Sequence, residues 1–463
     1  MASTKELRSD PNEDLARLIK QAGASHKSLA AQVNRIGAAA GVPLRYEHTS
    51  VARWVNLGMI PRGRVPEFLA AALGERLGRT VSLDEIGMYS RSGGNPDMGL
   101  DFARDPVDAI RVAATYWRTV DRSRRQLISN GFAIAAFTTP VTRWLAKPAD
   151  APTAHRGSRQ VGRSDLDELW KAADEARLWD SRFGGGNWKA SSVTECLRLN
   201  AAPLLTGNYT ETIGRELFAA TAELSRVVAW SAVDTGHHDT AQRHFVQALR
   251  LARASGNVES GCYVLATMAL QAFLRGYPEQ AADMAEGAYE RGLGHAAPRV
   301  LAFAKLAEAR AHGRTGNAQA AKAALGRTQE LLDSIRPGSH DPQQLAYMTH
   351  ARLATDATEV HRDLEDPKGA FTWNSLAEPM PADRFTRATG IRMAVLATSH
   401  LQNRELERGL IAANTSLRIL SNVHSTRAHS YLRDVTHTLA PWKGSPEVAD
   451  FIHRTRTELP AAA

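Results

Sequence analysis

Two cysteines, Cys196 and Cys262, are all the chain holds in 463 residues. That excludes a disulfide framework or a four-thiolate zinc site and points to a reducing, cytoplasmic setting. Long apolar runs are lacking as well. The longest candidate, Phe132 to Val141, is broken by two threonines and a proline, well short of the roughly 18 apolar residues that suggest a membrane span. Met1 to Asp14 is charged and has no apolar signal core, so export by the usual route is not expected. Aromatics are scarce at 6%, against 43% hydrophobic and 23% charged residues. This is soluble, aliphatic, alanine-rich composition, which argues against disordered and fibrous classes.

The length suggests two or three domains or one long repeat array. Net charge is +8, and it is unevenly spread: residues 1–80 hold 12 Lys and Arg against 7 Asp and Glu. From Ser25 to Pro66, Lys27, Arg35, Arg45, Arg53, Arg62 and Arg64 face a single acid, Glu47. Such segregation suits an acidic partner, although a solvated basic face gives the same count.

Helical periodicity dominates. Asn12 is placed to cap a first helix with Leu15, Leu18 and Ile19 on one face, stopped by Gly23. Ser25 opens a second, with Leu29, Val33 and Ile36 inward, interrupted by Gly41 and Pro43. Thr49 is expected to cap a short third helix that turns Val51, Trp54 and Val55 inward, closed by Gly58 to Pro61. A fourth carries Phe68, Leu69, Ala72 and Leu73 and ends near Gly78. Ser90 to Pro96 reads as a linker. A helical connector follows, with Ile110, Ala114 and Trp117 on one side and Phe132 to Trp144 after it. Lys147 to Ser164, rich in Pro, Gly and Ser, is expected as a second, mobile linker.

Beyond it an internal period stands out. Ala229, Ala269 and Ala309 recur every 40 residues, as do Gly236, Gly276 and Gly316, and Ala241, Ala281 and Ala321. A small residue, a glycine seven later and an alanine five after that predict a helix, a tight turn and a second helix approaching closely. A weaker copy lies around Ala397, Gly409, Ala413 and Ser416, and Asp341 to Glu378 is expected to contain a degraded unit. The pattern resembles the tetratricopeptide repeat, which has a shorter period. The expected fold class is therefore all-α: a helical module over residues 1–89, linker and connector over 90–163, and a helical-hairpin superhelix over 164–463, its most regular repeats in 222–335.

Lys27-Ser28-Leu29-Ala30, then Thr49-Ser50-Val51-Ala52-Arg53-Trp54, Gly58 and Pro61, resemble the Cro/repressor (Xre) helix-turn-helix, with a longer span between Ala30 and Val51 than is usual there. Taken with Trp179-Asp180-Ser181-Arg182-Phe183-Gly184-Gly185-Gly186, Pro203-Leu204-Leu205 and Ala229 to Gly236, the chain resembles large actinobacterial transcriptional regulators that fuse such a motif to tetratricopeptide-like repeats. The resemblance implies a cytoplasmic regulator of double-stranded DNA. A homodimer is expected, with the repeats serving for dimerisation or for sensing a peptide, small-molecule or protein effector. A helix entering the major groove needs short polar or forked basic side chains outward and an apolar face behind. Thr49, Ser50, Arg53 and Asn56 fit the outward role. Lys27, Ser28, Arg62 and Arg64 are candidates for phosphate contacts, and Arg45 and His48 for backbone or minor-groove contacts. In the repeats, Asn208, Tyr209, Trp230 and Gln271 are candidate groove-lining residues. A protein-interaction scaffold that does not bind DNA is the alternative.

Catalysis is not expected. Phe183-Gly184-Gly185-Gly186-Asn187 lacks the strand and the Gly-Lys-Ser/Thr ending of a phosphate loop and reads as a turn between helices. His237-His238-Asp239 follows the Gly236 turn without the further ligands a metal site needs. No cofactor or metal is expected.

Overall fold

The computed structural model describes residues 11–40, 42–61, 65–78, 81, 83, 85–88, 97–122, 131–186, 188–378 and 385–459. The linker expected at Ser90 to Pro96 lies outside them. The chain forms two compact units, one holding residues 1–98 and the other residues 99–125 and 129–463. Both are helical.

The first unit contains α1 (Glu13–Gln21), α2 (His26–Ala39), α3 (His48–Asn56) and α4 (Val65–Leu77). The Asn12 side chain accepts from the Leu15 amide at 2.9 Å, while its own amide donates to the Ile86 carbonyl at 2.9 Å, tying the helix start to the end of the unit. Leu15, Leu18, Leu29, Val33, Val51, Trp54, Val55, Phe68, Leu69 and Leu73 form one core. Gly23 and Gly58 take left-handed φ values of 56° where α1 and α3 end, as helix-terminating glycines do.

In the second unit, α5 (Pro106–Arg122) and α6 (Thr138–Ala146) precede α7 (Arg163–Phe183), α8 (Trp188–Cys196), a π turn (Leu197–Ala201) and α9 (Ala202–Leu205). Five helical hairpins follow among the described residues: α10 (Glu211–Asp234) with α11 (His238–Ser255), α12 (Val258–Leu274) with α13 (Pro278–Gly292), α14 (Pro298–Arg314) with α15 (Ala318–Asp333), α16 (His350–Asp363) with α17 (Pro367–Leu376), and α18 (Thr386–Gln402) with α19 (Leu406–Leu420). The unit closes with α20 (Thr426–Thr438) and α21 (Pro446–Glu458). The first helices of successive hairpins pack on one another, and each second helix wedges between its partner and the next first helix. This is a tetratricopeptide-like array, with α5 and α6 lying against α11. Along α5 it is Ala113, rather than Ala114, that joins Ile110 and Trp117 in being buried.

The 40-residue period has a direct structural meaning. Ala229, Ala269 and Ala309 are buried on the first helices, and Ala241, Ala281 and Ala321 on the second. Gly236, Gly276 and Gly316 hold the turns at φ 86°, 81° and 75°. The two later hairpins keep this device without glycine. Glu365 (φ 54°) and Arg404 (φ 62°) are the non-glycine residues with positive φ among the described residues. Each stands seven residues after a buried small residue, Thr358 or Ala397, and five before another, Ala370 or Gly409.

Lys147 to Ser164 is not the mobile linker its composition suggests. Asp150 accepts from Arg253 Nε at 2.9 Å and pairs with Arg250 at 2.9 Å. His155 and Tyr209 exchange backbone hydrogen bonds of 3.1 and 3.0 Å, and the Asn208 amide donates to Arg159. Gly157 is pressed so closely on the Thr206 carbonyl that a Cβ would lie 2.2 Å from it. Polar composition there serves hydrogen bonding to the array instead of solvation.

Among the described residues, two apolar clusters of the second unit are separate from each other. One runs from Phe102 to Val360 through the first four hairpins, and the other from Ala394 to Phe451 through α18 to α21. Between them lies a polar seam. Asp234 accepts from the Gly185 amide, from Arg387 at 2.9 Å and from Arg427 at 3.0 Å, while Arg387 also donates to Asp180 at 2.8 Å. The Gly186 amide donates to the His424 carbonyl and Thr426 to the Thr235 carbonyl. Further along, Glu359 accepts both from Arg310 at 2.9 Å and from the Tyr431 hydroxyl at 2.6 Å. Burial raises the carboxyl pKa of Asp234, but Arg387 and Arg427 outweigh it and leave it below the usual range. At Glu359 burial acts the same way, and Arg310 and Arg362 bring the value down to about 2.

Candidate nucleic-acid interface

The first unit carries the site residues singled out by sequence, and α3 positions most of them. Its inward face, Val51, Trp54 and Val55, is buried; full burial of such side chains stabilises by about 1.5–3 kcal/mol each. That fixes the rotation of the helix. Thr49, Arg53 and Asn56 then stand exposed on the other side with His48, and Ser50 is half-buried at the edge. The Trp54 ring meets Tyr46 edge-on at 5.0 Å, so the indole serves the core.

The N-cap of α3 is Glu47 and not Thr49, and it makes no side-chain cap. Thr49 therefore lies within the first turn. By contrast α2 begins with a closed capping box, in which the Ser25 amide donates to Ser28 Oγ and the Ser28 amide to Ser25 Oγ, both at 3.1 Å. The Ser28 hydroxyl also donates to the Ser25 carbonyl at 3.0 Å. Ser28, a candidate phosphate contact, thus spends its hydroxyl on the cap.

The long connection between α2 and α3 is a built loop. Asn34 clasps Tyr46 at both ends of its amide, donating to the carbonyl and accepting from the N–H at 2.9 Å. The Val42 amide donates to the Gly37 carbonyl at 2.8 Å, and a Cβ on Gly37 would lie 2.5 Å from Leu44. These five residues carry the register of α3 and were not singled out in the sequence. The signal was a glycine inside an otherwise helical run.

Arg45 is exposed on that loop and Lys27 on the first turn of α2. Lys27, Arg45, His48 and Arg53 have no acidic partner among the described residues, whereas Arg35 is turned to Glu75 at 2.6 Å. Arg62 and Arg64 lie outside the described residues. The structure therefore gathers Thr49, Arg53 and Asn56 on one helix face with His48 at its start. Lys27 and Arg45 belong to the neighbouring segments.

The candidates in the second unit do not form one site. Tyr209 is buried with its hydroxyl donating to Leu205, and Asn208 donates to Gln160 at 2.8 Å; both fasten the 150–161 segment. Trp230 lies under the Arg427 guanidinium at 5.4 Å. Gln271 is fully buried and donates to the His238 carbonyl at 2.7 Å. The Gly184 to Gly186 run is a packed turn between helices: a Cβ on Gly185 would lie 2.4 Å from the Ser231 carbonyl. No cluster of His, Cys, Asp and Glu suited to a metal ion occurs among the described residues, and none of the described helices is long and apolar enough to cross a membrane.

Residues 15–89, which run from within α1 through α4, match the model of the SP15 N-terminal domain family. Comparison with curated proteins gives no match for the chain.

Proposed function

We propose that the protein is a sequence-specific regulator of transcription that reads double-stranded DNA with α3 and acts as a homodimer. The observation that carries this reading is the exposed face of α3. It joins a forked cation, Arg53, to an amide, Asn56, and a hydroxyl, Thr49, with no acid paired to the arginine among the described residues. Arg and Asn are the side chains whose paired hydrogen bonds discriminate guanine and adenine edges in the major groove. Lys27 and Arg45 suit the flanking phosphates, and the amides at the uncapped start of α3 suit another. Two copies would read half-sites about 34–36 Å apart or a multiple of that. An effector bound to the repeat unit would favour one spacing of the two reading heads over another.

The test is binding of the intact protein to the DNA upstream of its own gene, measured across a salt series beside a scrambled duplex. Expected are preference for the native sequence and an affinity that falls steeply with salt. Equal affinity for both duplexes, or a flat salt response, refutes the reading. Retained partner capture by Arg53→Glu, with no DNA binding in the parent protein, would favour an interaction scaffold instead.

A further inference from the structure

The face formed by the first helices, the array's inner face, is covered in part by another helix. Helix α20 crosses the layer of first helices: Arg427 and Thr426 meet the end of α10, and Tyr431 reaches Arg310 on α14 and Glu359 on α16. The opposite side of α20 belongs to another body, since Ala428, Leu432 and Val435 sit in the cluster built by α18 to α21. That cluster shares no residue with the core of the first four hairpins. Where α18 meets α16 and α17 the hydrogen bonds run from Gln402 to the Arg362 carbonyl at 2.9 Å and from Arg392 to Asn374 Oδ1 at 2.9 Å, beside a ring contact of Phe371 with His400 at 4.6 Å.

Two apolar bodies joined across buried ion pairs have a particular energetics. Parting them sacrifices hydrogen bonds that water can replace while both apolar cores stay intact, whereas unfolding either body exposes its core. Such a boundary is where sub-global opening occurs. We propose that α18 to α21 form a latch that parts from the hairpin array as one body along this seam, with α20 as the resident occupant of the array's inner face. Opening uncovers the carboxylates of Asp180, Asp234 and Glu359, so a competitor for that face must bring guanidinium groups and a hydrogen-bond donor where α20 brings Arg427 and Tyr431.

Native-state hydrogen exchange on the full-length protein tests this. Amides of α18 to α21 should exchange through a shared opening faster than those of α12 to α15. Tyr431→Phe, which removes the hydroxyl bond to Glu359 and keeps the ring, should speed that opening about tenfold and leave α12 to α15 unchanged. Thr426→Val, at the far end of the seam, should speed the same amides by about threefold. If α12 to α15 and α18 to α21 exchange at one common rate and both variants accelerate them alike, the unit opens only as a whole and the latch does not exist. Unaltered exchange of α18 to α21 in both variants overturns it equally. The outcome is independent of DNA binding by the first unit.

Discussion

His244 should make the repeat unit acid-sensitive well above the range in which carboxylates titrate. Its imidazole is fully buried on α11, edge-on to Tyr116 at 5.0 Å, and neither ring nitrogen has a hydrogen-bond partner among the described residues. Burial alone pushes its pKa down to about 3. The unfolded chain takes up a proton near pH 6.5 and the folded chain does not, so stability is present above pH 6.5 and is lost as the pH falls from there towards 3. At pH 5 the unfolded state gains RT ln(1 + 10^1.5), about 2 kcal/mol, against almost nothing at pH 7.5. His244→Phe keeps the ring contact with Tyr116 and removes the titration. Urea unfolding of both proteins at pH 7.5 and 5.0, at constant ionic strength, gives the stability difference at each pH. The cost of fitting a larger ring is the same at both and cancels. Relative to the variant, the parent should lose about 2 kcal/mol between the two conditions. A difference that stays constant to within about 0.5 kcal/mol means that the imidazole is solvated or partnered in the folded chain, and the argument fails.

Glu365→Gly and Arg404→Gly should each raise stability by about 1 kcal/mol, read from thermal or urea unfolding, because a side chain at left-handed φ is strained there; destabilisation would show that these side chains hold the turns by contact. Asp234→Ala should cost about 3–5 kcal/mol in urea unfolding, since it strands Arg427 in the seam and leaves Arg387 with Asp180 alone; a loss below about 1 kcal/mol would mean that water already reaches the pair. Arg53→Ala should weaken binding to the preferred DNA by about 1–3 kcal/mol and relax selectivity at one base pair, whereas Lys27→Ala should weaken binding to all duplexes alike and lower the salt slope by about one. Both effects can be read in one titration series.

Much of the fold was legible because its signals are local. Asn12 and Ser25 as caps, the apolar face of α3 and the three glycine turns follow from spacing within single hairpins. The fourth and fifth hairpins were harder to read because the sequence marks a left-handed turn by glycine, and Glu365 and Arg404 adopt it with a side chain. The stretch before α16 also lengthens the interval from Gly316 to Glu365 to 49 residues, which breaks the period. The 147–164 segment was misjudged because composition reports what a stretch can bond to, and Arg250 and Arg253, which hold it, lie about 100 residues away. For the same reason the partial cover of the inner face was invisible: Tyr431 finds Glu359 through tertiary packing alone. In the candidate interface, the outward residues of α3 were legible from the helical period, while the loop that sets its register depends on the pairing of Asn34 with Tyr46.

The seam also sets a timetable for the nascent chain. Asp180 and its partner Arg387 are 207 residues apart, so at about 5–20 residues added per second the acid waits about 10–40 s on the ribosome for its cation. Throughout that interval the growing array exposes its unfinished side. A chaperone that shelters acidic, half-built solenoids would have its window there, and slowing translation ahead of residue 387 should lengthen it.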